Sequence, residues 1–116
     1  MTASPVAQHI ADELAALTAG QPHLSEFMQE LANACRRDTD EAARLYQGLQ
    51  MWGGPGSFAD QAGSDLPAEG SARTNELMIQ LFEEFERHGI HYDRANMWIG
   101  AFRQWRDGNV FGEGAR

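Results

Sequence analysis

Residues 74–87 read TNELMIQLFEEFER, and this stretch decides the fold class. Leu77, Met78, Leu81, Phe82 and Phe85 recur at helical spacing and gather on one side of an α-helix. Glu76, Glu83, Glu84 and Glu86 cover the other side. The helix is expected to begin at Ser71 or Thr74. Gly89, directly after His88, suits a left-handed C-terminal cap with Ile90 closing over it.

The same period extends in both directions. Toward the C-terminus, Ala95, Trp98, Ile99, Phe102 and Trp105 share a face of a helix that starts at Tyr92 or Asp93 and ends at Arg106. Residues 108–116 read as a Gly-rich flexible tail, with Val110 and Phe111 as anchors able to dock back. Toward the N-terminus, Ser4-Pro5 signals a helix start, and Val6, Ile10, Leu14 and Leu17 form its apolar stripe until Gly20. Pro22 opens a second helix with Leu24, Phe27, Met28, Leu31 and Cys35 inward, and Arg36 and Arg37 in its last turn. Asp38 and Glu41 resemble a capping box for a third helix. Its buried face is expected to hold Ala42, Leu45, Leu49 and Trp52, with Tyr46 flanking.

Between these helices lies GGPGSFADQAGSDLPAEGSA, residues 53–72. A loop of about twenty residues is long for a compact domain and is either functional or mobile. Phe58 and Leu66 are apolar anchors within it. A helical turn at Ser57–Ala62 is expected, with Ser57 as cap and Asp60 at the third position. No segment alternates as a strand does. The sequence therefore predicts an all-α single-domain bundle of about five amphipathic helices over residues 1–107, with one long Gly-rich loop.

The chain of 116 residues has a net charge of −8, and all nine cations are arginine. Residues 1–35 carry −4, residues 61–93 carry −5 and residues 94–116 carry +2. An acidic surface repels phosphate backbones, so a nucleic-acid role is disfavoured and a basic protein partner favoured. The plainer alternative is that the charge only maintains solubility. No run approaches the roughly 20 apolar residues of a membrane helix. Met1 to Pro5 lack the features of a secretory signal, and Cys35 stands alone, so a reducing cytoplasmic setting is expected.

Several motifs invite a chemical reading. Gly54-Pro55-Gly56-Ser57-Phe58-Ala59 has the letters of a dinucleotide fingerprint, but that motif works only between a strand and a helix. A phosphate loop needs a lysine, and the chain has none. Ser57 lacks the G-x-S-x-G elbow because Ala59 replaces the second glycine. His88, His91 and Asp93 lie close in sequence, yet the histidines straddle a helix end instead of sharing a face, which fits a hinge better than a metal site. Adjacent Glu83 and Glu84 diverge by about 100° on a helix and do not make a catalytic pair. Trp98, Phe102 and Trp105 at helical spacing read first as core. No metal or cofactor is called for, and the chain reads as a non-enzyme.

The run from Leu49 to Phe85 resembles a family of small bacterial proteins of uncharacterised activity. Their loop reads roughly Gly-Gly-Met-Gly-Ser-Phe-Asn-Asp after a helix. The matching residues are Gly53, Gly54, Gly56, Ser57, Phe58 and Asp60, followed by Asn75-Glu76-Leu77 and Leu81-Phe82, and preceded by Ala42 to Leu45. Pro55 and Ala59 depart from the pattern, which puts in doubt any ligand those side chains touch. The resemblance implies no activity. By analogy, small acidic helical proteins of this kind resemble immunity proteins that neutralise a toxin.

The expected function is thus a non-catalytic protein-binding module, an immunity protein being one form of it, which docks an acidic surface on a basic partner such as a toxin. The expected contact residues are Trp52, Gly54, Gly56, Ser57, Phe58, Asp60, Glu76, Glu83 and Glu84. The rival is ligand binding or catalysis centred on Gly56, Ser57 and Asp60. A third reading makes Ser57 and Asp60 mere caps of a turn.

Overall fold

A computed structural model describes residues 4–64 and 66–108. The described residues form helices and connecting turns only: α1 (Pro5–Leu17), α2 (Pro22–Arg37), α3 (Thr39–Tyr46), α4 (Leu49–Trp52), α5 (Phe58–Gln61), α6 (Ala68–Arg87) and α7 (Asp93–Asp107). Five of these are longer than one turn, in keeping with the expected bundle, and α4 and α5 are single turns. The tail expectation for 109–116 lies outside the described residues.

Helix α1 starts where the sequence indicates. Ser4 Oγ accepts the Ala7 N–H at 3.1 Å, and Pro5 occupies the first turn. Its buried stripe is rotated from the expected one. Ala7, Ile10, Ala11, Leu14 and Ala15 face inward, while Val6 is exposed. Small residues at i, i+4 spacing let neighbouring helices approach α1 closely, which favours the alanine ridge over the valine. The helix ends before Gly20, with Thr18 as its C-cap and the Thr18 hydroxyl donating to the Leu14 carbonyl at 2.8 Å. Ser25 Oγ donates to the Ala15 carbonyl at 2.8 Å and pins the start of α2 to the end of α1, so the two helices form a tight hairpin.

Asp38 caps α3 by accepting the Asp40 and Glu41 N–H groups. The expected capping box is only half made, since Glu41 turns outward to pair with Arg44. The third helix also does not run on to Trp52. Gly48 adopts an extended conformation (φ −113°, ψ 163°), which interrupts the helix and restarts it as α4. The restart turns Leu49 out to solvent, contrary to expectation, and buries Met51 and Trp52. Tyr46 becomes core instead of flanking it. Its ring stacks on Phe85 at a centroid distance of 4.0 Å and meets Trp52 edge-on at 5.7 Å.

Helix α6 begins at Ala68, three to six residues before the expected start. Gly70 and Ser71 read as loop residues, but both are used inside the first turns. A side chain at Gly70 would meet Leu66, so glycine lets the preceding loop pack against the helix. Ser71 Oγ donates to the Gly63 carbonyl at 2.8 Å. At the other end, Ile90 N–H donates to the Phe85 carbonyl and Gly89 N–H to that of Glu86, with Gly89 at φ 81°. This is the left-handed cap with Ile90 closing over it that the sequence indicates. Helices α6 and α7 then pack as antiparallel neighbours, and α6 also lies against α1.

Candidate functional site

The loop singled out by the sequence is built almost wholly from structural bonds. A Cβ on Gly53 would lie 2.3 Å from the Leu49 carbonyl oxygen, so only glycine fits there. Gly54 and Gly56 take φ values of 103° and 85°, and the Ser57 N–H donates to the Gly54 carbonyl across the reversal. Ser57 Oγ accepts the Asp60 N–H at 3.3 Å, and Asp60 Oδ2 accepts the Gly56 N–H at 3.1 Å. This reciprocal pair caps α5. Phe58 is fully buried with its ring 6.4 Å from that of Phe27.

These bonds place the expected contact residues unevenly. Trp52, Ser57 and Phe58 are buried and offer no contact surface. The Trp52 carbonyl accepts the Trp98 indole N–H at 3.0 Å, joining α4 to α7. Gly56 and Asp60 are exposed, and Gly54 is partly so. None of the four histidines is hydrogen-bonded to Ser57.

The glutamates of α6 are also divided. Glu84 is a correction to the expected docking face, because it is 5% exposed and points into the protein. Its Oε2 accepts the Ser4 hydroxyl at 2.9 Å and meets His88 Nε2 at 2.9 Å. Arg87 Nη1 stands 3.3 Å from Oε1, without hydrogen-bond geometry. The cluster contains serine, histidine and a carboxylate in the wrong order for catalysis. Both partners address the carboxylate, so the histidine does not contact the serine. Glu83 pairs with Arg103 at 3.0 Å, and Glu76 lies 3.7 Å from Arg106. Helix α7 thus lays two of its three arginines on the acids of α6.

At the α6–α7 hinge, His91 bridges Glu86 at 2.5 Å and Asp93 at 2.9 Å. The two carboxylates raise its pKa above the ordinary value. Among the described residues, no group of three or more His, Cys, Asp or Glu side chains is placed to hold a metal ion. Cys35 is fully buried, and desolvation pushes its thiol up to about 11, which keeps it protonated and inert at neutral pH.

A cavity of about 270 Å³ lies beside the loop, and the sequence reading missed it. It opens between the turn after α5, the first half of α6 and the second half of α7. Trp98, Phe102 and Trp105 line it from α7, Ser71, Thr74, Asn75 and Met78 from α6, and Asp60 from α5. The aromatic rings form a continuous ladder, with centroids 5.9 Å apart for Trp98–Phe102 and 5.3 Å for Phe102–Trp105. Ile99 and Ala95 are core, as expected of the α7 face, but Trp105 is exposed at 38% and Trp98 only half-buried. The legible signal was that ladder at spacings of four and three. What turned it from core into wall is the row of small and polar residues opposite it on α6.

No helix among the described residues is long and apolar enough to cross a membrane. Compared with models of protein families, with curated proteins and with solved structures, the chain matches none.

Proposed function

We propose that this protein is a non-catalytic binding module that docks a basic protein face, and that the docking surface is the acidic α1–α2 hairpin. The observation that carries this reading is the distribution of uncompensated charge. Asp12, Glu26 and Glu30 are exposed and enter no ion pair among the described residues. No arginine precedes Arg36 in the chain, so the hairpin has few cations of its own to neutralise them. Glu13 alone of its acids is paired, with Arg73 of α6 at 2.6 Å.

A surface of this kind speeds encounter with a basic partner and penalises acidic ones. A toxin whose active site is lined with arginine or lysine is a fitting occupant, because an acidic inhibitor blocks such a site by both charge and shape. The reading does not use Ser57 or Asp60 as reactive groups, since both are committed to capping α5.

Charge reversal tests it. The protein and its Glu26→Lys/Glu30→Lys variant are immobilised and exposed at low salt to an extract of the native host. The expected outcome is a basic protein retained by the first, released by salt and lost from the second, while Glu83→Gln retains it. Retention of nothing, or equal retention by the charge-reversed variant, sinks the proposal.

A further inference from the structure

Independently of the docking surface, the hydrogen bonds around the cavity point to a ligand class. The Ser71 hydroxyl donates to the Gly63 carbonyl at 2.8 Å, and the Thr74 hydroxyl donates to the Gly70 carbonyl at 2.8 Å. Asn75 Nδ2 donates to the Phe102 carbonyl at 2.9 Å. A backbone carbonyl can only accept, so this bond fixes the amide orientation and leaves Oδ1 as the free side of the group. Asn75 is 5% exposed, and its Oδ1 accepts no hydrogen bond among the described residues. The Trp98 indole N–H is spent on the Trp52 carbonyl.

On the α6 side of the cavity the Ser71 and Thr74 hydroxyls have therefore spent their donors on backbone, and Asn75 has spent one of its two amide N–H groups. What the two hydroxyls and Asn75 Oδ1 offer is oxygen lone pairs. Asp60 adds a carboxylate at the rim, with one oxygen engaged by the Gly56 N–H and the other free among the described residues. Opposite stand three aromatic rings, whose faces attract cations. Acceptors on one side, π-faces on the other and a carboxylate at the mouth favour a positively charged N–H donor. They disfavour an anion, which would meet the like charge of Asp60 and the hydroxyl lone pairs, with the second Asn75 N–H and the Trp105 indole N–H as its donors. A volume of about 270 Å³ lies at the lower limit of ligand pockets and admits a small molecule rather than a nucleotide or peptide.

We infer that this cavity is a binding site for a small organic ammonium ion, of the arylalkylamine or alkylamine class. The ammonium group hydrogen-bonds to Asn75 Oδ1 and Thr74 Oγ1, with Asp60 supplying charge. The apolar part of the ligand lies against Trp98, Phe102 and Trp105.

Three probes of similar size test this on the full chain at neutral pH: phenethylammonium, 2-phenylethanol and phenylacetate, followed by tryptophan fluorescence and calorimetry. Phenethylammonium is expected to bind saturably, at least about tenfold more tightly than the alcohol, with phenylacetate weaker still. Asp60→Asn keeps an acceptor for the Gly56 N–H, so the turn is retained, and it is expected to weaken the ammonium about fivefold while leaving the alcohol unchanged. Trp105→Ala removes an exposed wall and is expected to weaken all binding without unfolding the protein. The inference is overturned if the three probes bind within about twofold of one another, if none saturates below about 10 mM, or if neither variant changes the affinity for phenethylammonium.

Discussion

Helix α6 carries five carboxylates and the α1–α2 hairpin four, so by count the helix is the more acidic region. In space the order is reversed. On α6, Glu76 and Glu83 face arginines of α7, Glu86 holds His91, Glu84 is buried beneath the start of α1, and one acid, Glu69, stands exposed without an ionic partner among the described residues. On the hairpin, three of four acids stand exposed without an ionic partner among the described residues. Charge summed along a chain therefore does not give the field around the molecule, because helices from distant segments cancel it. Two of the four arginines in residues 94–116, Arg103 and Arg106, lie against acids of α6.

The largest effect that separates the two regions is expected at Glu84. Glu84→Ala leaves the Ser4 hydroxyl and the His88 ring without their buried acceptor and is expected to cost about 2–3 kcal/mol. Glu84→Gln keeps one acceptor and is expected to cost less. Glu30→Ala on the hairpin is expected to stay within about 0.5 kcal/mol of the parent. Urea unfolding of the three variants checks this. Equal midpoints for Glu84→Ala and Glu30→Ala would remove the distinction between a structural acid and a surface one.

The long helices were legible because their apolar period is strong and their ends carry specific signals. Ser4-Pro5, Asp38 and Gly89-Ile90 each do in the structure what their sequence indicates. What failed depended on tertiary geometry. Val6 and Ala7 are neighbours on α1, and only the close approach of the packed helices decides that the alanine is buried. Gly48 is a lone glycine in a helical pattern, and its extended backbone shows only once Met51 and Trp52 have a core to enter. Glu84 reads as solvated because its two glutamate neighbours are, but Ser4, eighty residues earlier, comes to rest on it. The cavity was invisible for the same reason, since its two walls lie on different helices.

A middle-sized effect is expected in the loop, where an acid serves as a cap and belongs to neither region. Ser57→Ala removes the acceptor for the Asp60 N–H and is expected to cost about 1 kcal/mol. Asp60→Ala frees the Gly56 N–H and is expected to cost a similar amount. Because the two groups act on one turn, the double variant should lose less than the sum. Thermal or urea melts of the cycle give the coupling. Strict additivity would mean that the two bonds form independently and that the loop is not a single capping unit.

Smaller again is the exposed pairing of α6 with α7. Arg103 and Glu83 are each near half exposed, so Glu83→Gln is expected to cost at most about 0.5–1 kcal/mol in dilute buffer, and less in 1 M salt. The same substitution should leave partner capture intact if the hairpin is the docking surface. A loss of capture with Glu83→Gln would shift the site back to α6 and reverse the comparison.

The smallest effect concerns His91, whose two carboxylate partners raise its pKa in the folded protein. The group is exposed, so the effect is a screened one. A raised folded pKa means that the native state binds the proton more tightly than the unfolded chain does. The stabilisation is then fully present below the unfolded value of about 6.5 and is lost as pH rises through the raised folded value. His91→Gln removes the titration, so the variant should be less stable than the parent at pH 5 and no less stable once the parent's His91 is neutral. Urea midpoints of the two proteins across that range should converge on the alkaline side. Convergence on the acid side instead would mean that the ring is held neutral at the hinge, and that Glu86 and Asp93 join the hairpin acids as uncompensated charge.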